Sequence, residues 1–243
     1  PALWIFVDND NSNGYEIRSP IKKVLNFTIT TVLNLLPKSF QTYIKKSHKS
    51  AEEVIDHATT HRALDVLYKH GRTNTSDGLF QKIAHVVWFG ILNNSLAVRN
   101  RLKLTIKEIK LAIDAVRKTN DRPINILSIA SGSARAVIEV LQTLNLPEKS
   151  ISVRFLDKNP LAADYSKNLA GDLTQKYNLS WIIDTAGNFY KHYRNGENPD
   201  IIEMVGLLDY FDQTKTIVLL SFIYEYLQTN GIFITANIIH NRE

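Results

Sequence analysis

The chain contains no cysteine. Disulfides, thiolate metal sites and cysteine nucleophiles are therefore excluded from these 243 residues. The same absence suits a reducing compartment, and a cytoplasmic location is expected. There is no long apolar run either. The longest near the start, Val24–Leu36, is interrupted by Asn26, Thr28, Thr30, Thr31 and Asn34, which makes it too short and too polar to span a bilayer. No secretory leader is visible, so the sequons at Asn26, Asn74, Asn93 and Asn178 read as ordinary polar positions. The chain opens on Pro1 rather than Met, as a fragment of a longer protein does. Internal repeats and low-complexity tracts are missing. So is His-Glu-x-x-His, and with it the commonest zinc-hydrolase pattern. The turn Ala130-Ser131-Gly132-Ser133-Ala134 is not the G-x-S-x-G elbow of a serine hydrolase.

What is present is unevenly placed. Residues 1–104 hold 14 Lys/Arg against 8 Asp/Glu, a net of +6, while residues 105–243 hold 15 against 16, a net of −1. A basic N-terminal part can meet nucleic acid, an anionic membrane or an acidic substrate. The plainer account is a solvated helical face. Tyr43, Lys45, Lys46, His48 and Lys49 combine ring and charge as RNA-binding surfaces do, although no known RNA-binding module is visible. Glu53, His57 and His61 fall at i, i+4 and i+8, a spacing that can ligate zinc, but no third convergent ligand is evident and no metal is expected.

Periodicity divides the chain in two. Asp8–Gly14 and His70–Gly78 are turn-rich. Pro20 suits a helix start and Pro37 an interruption. Ser50–His70 and Thr105–Lys118 have helical spacing, and Leu79–Leu92 is apolar and aromatic. From Asn120 the pattern alternates. Strands are expected over Ile124–Ala130, Ser152–Leu156, Leu179–Thr185, Ile201–Val205 and Gly231–Asn237. Helices are expected over Ala134–Leu144, Leu161–Tyr177 and Gln213–Gln228. Strands alternating with helices imply right-handed crossovers and a mostly parallel sheet covered on both faces. The expected architecture is an α/β, Rossmann-like domain over residues 105–243, preceded by a helical cap over residues 1–104.

Chemistry concentrates at strand ends. The turn Ala130–Ala134 has small side chains that let a ligand approach the backbone, next to a helix N-terminus with unsatisfied N–H groups. Asp157 ends the second strand, 25 positions beyond Gly132, near the spacing of a carboxylate that binds ribose hydroxyls. After the third strand, Gly187 permits a turn, Asn188 can donate to and accept from an adenine edge, and Phe189 offers a ring to stack. Asp209 and Tyr210 follow the fourth strand, where they would face the same crevice, although Asp209 also suits a helix cap. Glu203 interrupts the apolar fourth strand as a second polar candidate. Arg99 and Arg101, before the core, and Arg135, in the first helical turn after the loop, are candidates for pairing with a carboxylate.

In order, LSIASGSARAVIE, FLDKNP, TAGNF and PDIIEMVGLLDYF resemble the class I S-adenosylmethionine-dependent methyltransferases over roughly residues 105–237. The resemblance implies S-adenosyl-L-methionine as cofactor. Ala130, Ser131, Gly132, Ser133 and Ala134 would hold its methionyl part. Asp157, with Lys158 beside it, would take the ribose, and Gly187, Asn188 and Phe189 the adenine. Arg101 is the candidate for the methionyl carboxylate. Asp209 and Tyr210 are the catalytic candidates. The family's Gly-Asp after the third strand is Gly-Asn here. Its Gly-x-Gly-x-Gly has become Ala130, Gly132 and Ala134, and alanine would be strained if those positions need positive φ. The family adds a sixth and a seventh strand, the last antiparallel, and this chain stops after the fifth. The expected activity is methyl transfer to a small or lipid-like acceptor enclosed by the cap. The alternatives are a Rossmann-like binding module without chemistry, an RNA methyltransferase using the basic cap, and a nicotinamide dehydrogenase, which shares the first βαβ unit.

Overall fold

A computed structural model describes residues 20–39, 68, 78, 82, 93–193 and 198–237. The Asp8–Gly14 turn, the Glu53–His57–His61 trio, Tyr43–Lys49 and, apart from Tyr68, Gly78 and Lys82, the expected elements between residues 50 and 92 lie outside them. The elements in chain order are α1 Pro20–Leu35, α2 Asn93–Thr119, β1 Ile124–Ile129, α3 Arg135–Thr143, β2 Ile151–Asp157, α4 Pro160–Ala170, α5 Leu173–Lys176, β3 Asn178–Ile183, β4 Ile201–Val205, α6 Gln213–Tyr226 and β5 Ile232–Ala236. Short 3-10 turns occupy Ala186–His192 and Leu208–Tyr210.

The five strands form one parallel sheet in the order β3-β2-β1-β4-β5. This is the doubly wound arrangement, in which the chain reverses direction between β1 and β4 and leaves a crevice at the carboxyl ends of those strands. Period-2 alternation sorts the side chains. Ile124 and Ile126 join Ile109, Ile113 and Val116 of α2 and Val137, Ile138 and Leu141 of α3 on one face. Leu127 and Ile129 join Ile202, Met204 and, from α6, Leu219 and Ile223 on the other. Helices therefore cover both faces, as the sequence pattern implied.

Two expectations need correction. The helix expected over Thr105–Lys118 begins at Asn93, so the division at 104/105 falls inside one continuous 27-residue helix. The sheet domain takes its first helix from what was assigned to the cap. The cause lies in the stripe that faces the core: Ile113, Ile109, Thr105 and Arg101 follow one another at i, i+4 spacing, so the helix continues after its apolar signal has run out. The helix expected over Leu161–Tyr177 is two helices. Gly171 adopts φ 48°, which ends α4, and α5 restarts two residues later.

Candidate functional site

β1 leads into the loop Ala130–Ala134, which is stapled to β2. Ser131 N donates to Leu156 O at 3.0 Å, and Gly132 N donates to Asp157 Oδ2 at 2.8 Å. The other Asp157 oxygen accepts from Asn159 N at 2.9 Å. The loop and the strand-end acid thus meet directly. Each Asp157 oxygen keeps accepting capacity for a further donor. Ala130, Gly132 and Ala134 have φ of 54°, 53° and 52°. All three positions are left-handed, where glycine is at ease and alanine is strained. No side chain caps α3, and its first turn, Arg135 to Val137, lines the crevice beside the loop.

The opposite wall belongs to α2 and β4. Arg101 and Thr105 continue the core stripe of α2 past the edge of the sheet. Gly206, immediately after β4, has φ 71°, and a Cβ there would lie 2.6 Å from Arg101 Nη1. The guanidinium is therefore laid against bare backbone. Arg101 Nε is buried with no hydrogen-bond partner. Tyr68 closes over this group and is hydrogen-bonded to it; burial raises the phenol pKa while Arg101 pulls it down. Between these walls is a cavity of about 70 Å³, lined by the loop, Tyr68, Arg101 and Glu203 among others.

Glu203 is the residue that sequence reasoning underweighted. Ser128 and Glu203 are register partners across β1 and β4, both on the face that α2 covers. Ser128 Oγ donates to Glu203 Oε2 at 2.5 Å. Burial pushes the carboxyl up to about 7, against the downward pull of the Ser128 hydroxyl and of Arg101. The signal was available: position 203 has the parity of buried Ile201, so alternation alone aims its carboxyl at a covered face.

The remaining candidates divide. Asp184 follows β3 and accepts from Thr185 N at 2.7 Å and Asn188 Nδ2 at 2.9 Å, with His192 Nε2 2.8 Å away. Led by the Asn188 hydrogen bond, these contacts hold its carboxyl at about 2. Asn188 thus spends an amide proton on Asp184, and its Oδ1 remains as an acceptor. Gly187 precedes it in the same 3-10 turn. Phe189 is fully buried in the core, edge-on to Tyr190 and Tyr226. It packs the sheet and has no ring face to offer an adenine, which corrects the stacking role expected for it. Lys158, Asp209 and Tyr210 are exposed. Asp209 and Tyr210 lie in the 3-10 turn after β4 and do not line the Arg101–Glu203 cavity. The cap of α6 is Asp212, not Asp209: its side chain accepts from Lys215 N. Arg99 is buried in α2, and Arg135 is paired with Glu139 at 3.1 Å. Among the described residues no group of three or more His, Asp or Glu is placed to hold a metal.

Neither a family model nor a curated protein sequence matches the chain. Solved structures do. One, described as a possible exported protein from Bordetella parapertussis, is 14% identical with a TM-score of 0.61, and the match covers 88% of this chain and 69% of that one. A precorrin-6y C5,15-methyltransferase from Geobacter metallireducens is 13% identical with a TM-score of 0.40, over 56% of this chain and 60% of that one. A SAM-dependent methyltransferase from Geobacter sulfurreducens, in complex with S-adenosyl-L-homocysteine, is 14% identical with a TM-score of 0.38, over 54% of this chain and 46% of that one. The chain thus spans less than two thirds of either methyltransferase. The likeness is one of fold alone: a Rossmann-like parallel sheet with helices on both faces.

Proposed function

We propose that the chain binds S-adenosyl-L-methionine at the β1/β4 crevice and transfers its methyl group to a small or lipid-like acceptor. The observation that supports this reading is that the left-handed loop and the Arg101 guanidinium line one crevice at the strand order's reversal, with the Asp157 carboxylate hydrogen-bonded to that loop at Gly132 N. The donor set fits an amino-acid end attached to a nucleoside. Arg101 Nε is buried and unpartnered, and a carboxylate is the group that a guanidinium receives best. The first-turn amides of α3 favour the same negative charge. Burial raises the Glu203 carboxyl and so favours its neutral form beside Arg101, and when ionised it suits an ammonium. Asp157 serves a ribose diol, and the Oδ1 of Asn188, with Gly187 before it, serves an adenine amine. Lys158 flanks that end.

The sulfonium supplies a methyl already activated for in-line transfer, so no metal is required. The protein's task is to orient the acceptor and to accept its proton. Asp209 and Tyr210, exposed at the carboxyl end of β4, are the residues we assign to the acceptor side of the crevice. An acceptor as large as RNA draws support only from the net charge of the N-terminal part, so a small molecule is the reading kept.

Isothermal titration of the folded chain with S-adenosylmethionine and S-adenosylhomocysteine tests this. Saturable binding of both is expected. Arg101→Met and Asp157→Ala should each weaken it by about 1–3 kcal/mol, the worth of hydrogen bonds to a charged group. A folded chain that gives no heat with either ligand defeats the reading.

A further inference from the structure

The β1/β4 crevice holds two buried groups of opposite kind. Arg101 Nε is buried with no hydrogen-bond partner. The Glu203 carboxyl lines the same cavity and is 7% exposed. Its partner is neutral: Ser128 Oγ donates to Oε2 at 2.5 Å. The Arg101 charge pulls on it through space rather than through a hydrogen bond. Tyr68, whose phenol is raised by burial and so stays neutral, is hydrogen-bonded to Arg101. Arg135 of α3 also lines the cavity and is paired with Glu139. Across the sheet the register partners of Glu203 are Ser128 on β1 and Ile234 on β5, neither of them ionisable. The acid is thus left to a hydroxyl and the guanidinium to a phenol. The cavity they share is about 70 Å³. A single water needs at least about 10–15 Å³ of such space, so a few small groups fit: the head of an amino acid, not a nucleoside. Separate seats for an anion and a cation in one small cavity suit a zwitterion.

We propose that Glu203 receives the ammonium of the ligand's amino-acid end and releases its own proton to solvent as it does so, which couples cofactor binding to proton release. This rests on the S-adenosylmethionine reading of the crevice. In the empty cavity, burial beside a neutral partner pushes the carboxyl up to about 7 and favours its protonated form. An ammonium brought against it reverses that balance, because an opposite charge within about 4–6 Å favours the ionised form. The ligand's carboxylate, received by Arg101, cancels a pull that acts at a distance. The ammonium replaces it with one at contact. The O–H bond of Glu203 breaks, the proton passes to the buffer, and an N–H of the ammonium is donated to the carboxylate left behind.

The test is titration calorimetry of the 243-residue chain at about pH 6 in two buffers of different ionisation enthalpy, phosphate and imidazole. One ligand is S-adenosylhomocysteine, which keeps the amino-acid end and lacks the sulfonium charge. The other is 5′-methylthioadenosine, which lacks the amino-acid end. The heat of S-adenosylhomocysteine binding should differ between the buffers by the release of about one proton per ligand, and its affinity should rise by up to about tenfold per pH unit below about 7. Methylthioadenosine should release none. Glu203→Gln should bind S-adenosylhomocysteine with the same heat in both buffers and an affinity that is flat over the same pH range. Binding to the native chain with buffer-independent heat overturns the inference and leaves the cofactor reading standing. Release that persists in Glu203→Gln, or that methylthioadenosine also causes, gives the proton another source and overturns it likewise. A folded chain that binds neither ligand defeats the cofactor reading, and the inference falls with it.

Discussion

Glu203→Gln should abolish a pH dependence of stability that the native chain carries. The Glu203 carboxyl titrates at about 7 when folded, against an ordinary value of 4.5, because burial penalises its charged form. A carboxyl raised on folding contributes its full stability below the unfolded value, where both states are protonated. Between about 4.5 and 7 the unfolded chain loses its proton while the folded chain keeps it, so stability falls as pH rises through that window and levels off above it. At about 1.4 kcal/mol per unit, the difference amounts to roughly 3 kcal/mol between pH 5 and pH 8. Glutamine keeps an acceptor for the Ser128 hydroxyl, which donates at 2.5 Å, and has no proton to lose. Urea unfolding of both chains at pH 5 and pH 8 reads the effect. Asp184 and Asp212, both lowered on folding, act at the acid end and cancel in the comparison. The stability of the variant relative to the native chain should grow by roughly 3 kcal/mol between pH 5 and pH 8. Equal slopes in the two chains would show that Glu203 is not the buried proton carrier inferred from its register and partners.

The two left-handed alanines should respond differently to glycine. Relief of the conformation is worth about 1–2 kcal/mol, and the freer unfolded chain takes back about 0.4–1. Half-buried Ala130 should therefore gain about 0.5–1 kcal/mol, a rise in Tm of about 2 °C in a chain of this size. Ala134 is 5% exposed and packs in the core, so its lost methyl costs about 0.8 kcal/mol more and leaves Ala134→Gly near neutral. A lower Tm for Ala130→Gly than for Ala134→Gly in thermal unfolding would refute this ordering. Gly206→Ala meets both strain at φ 71° and the Arg101 guanidinium at 2.6 Å. It should cost about 1–2 kcal/mol of stability and move Arg101 off its seat, weakening S-adenosylmethionine in the same direction as Arg101→Met. Native affinity in a folded Gly206→Ala chain would separate Arg101 from the site.

The sheet was legible because its determinants are local. β1 and β4 match their expected spans to within a residue, since apolar runs bounded by Pro123 and Asp200 leave little choice. The contact between Asp157 and the loop was legible for the same reason: small residues after one strand and an acid at the end of the next are close in sequence, and the parallel order brings them together. The site's other wall was harder to read because it is assembled from distant parts. Arg101 enters through a helix whose apolar periodicity stops at Thr105, and Tyr68 comes from a segment with no sheet pattern at all. Glu203 meets Ser128 across a register that only the β1–β4 pairing supplies. Phe189 misled because a ring after a strand looks the same in sequence whether it stacks on a ligand or fills the core, and only the opposing Tyr226 of α6 decides which.

Alanine at positions 130 and 134, where the resembling glycine-rich motif has glycine, follows the same division between near and far. A left-handed alanine is held in place only if its surroundings over-determine it. Here Ser131 N bonds to Leu156 O, Gly132 N to Asp157 Oδ2 and Ala134 N to Ser131 O, which fixes the backbone on both sides of each alanine. Asp157 therefore has two tasks in one carboxylate. It holds the loop in a shape that alanine resists, and in the proposed reading its remaining acceptor capacity serves the ligand. Removing it should loosen the loop as well as the ligand, whereas removing Arg101 should loosen the ligand alone. A loss of affinity in Asp157→Ala that glycine at position 130 partly restores would separate those two tasks, and no restoration would mean that the carboxylate acts on the ligand only.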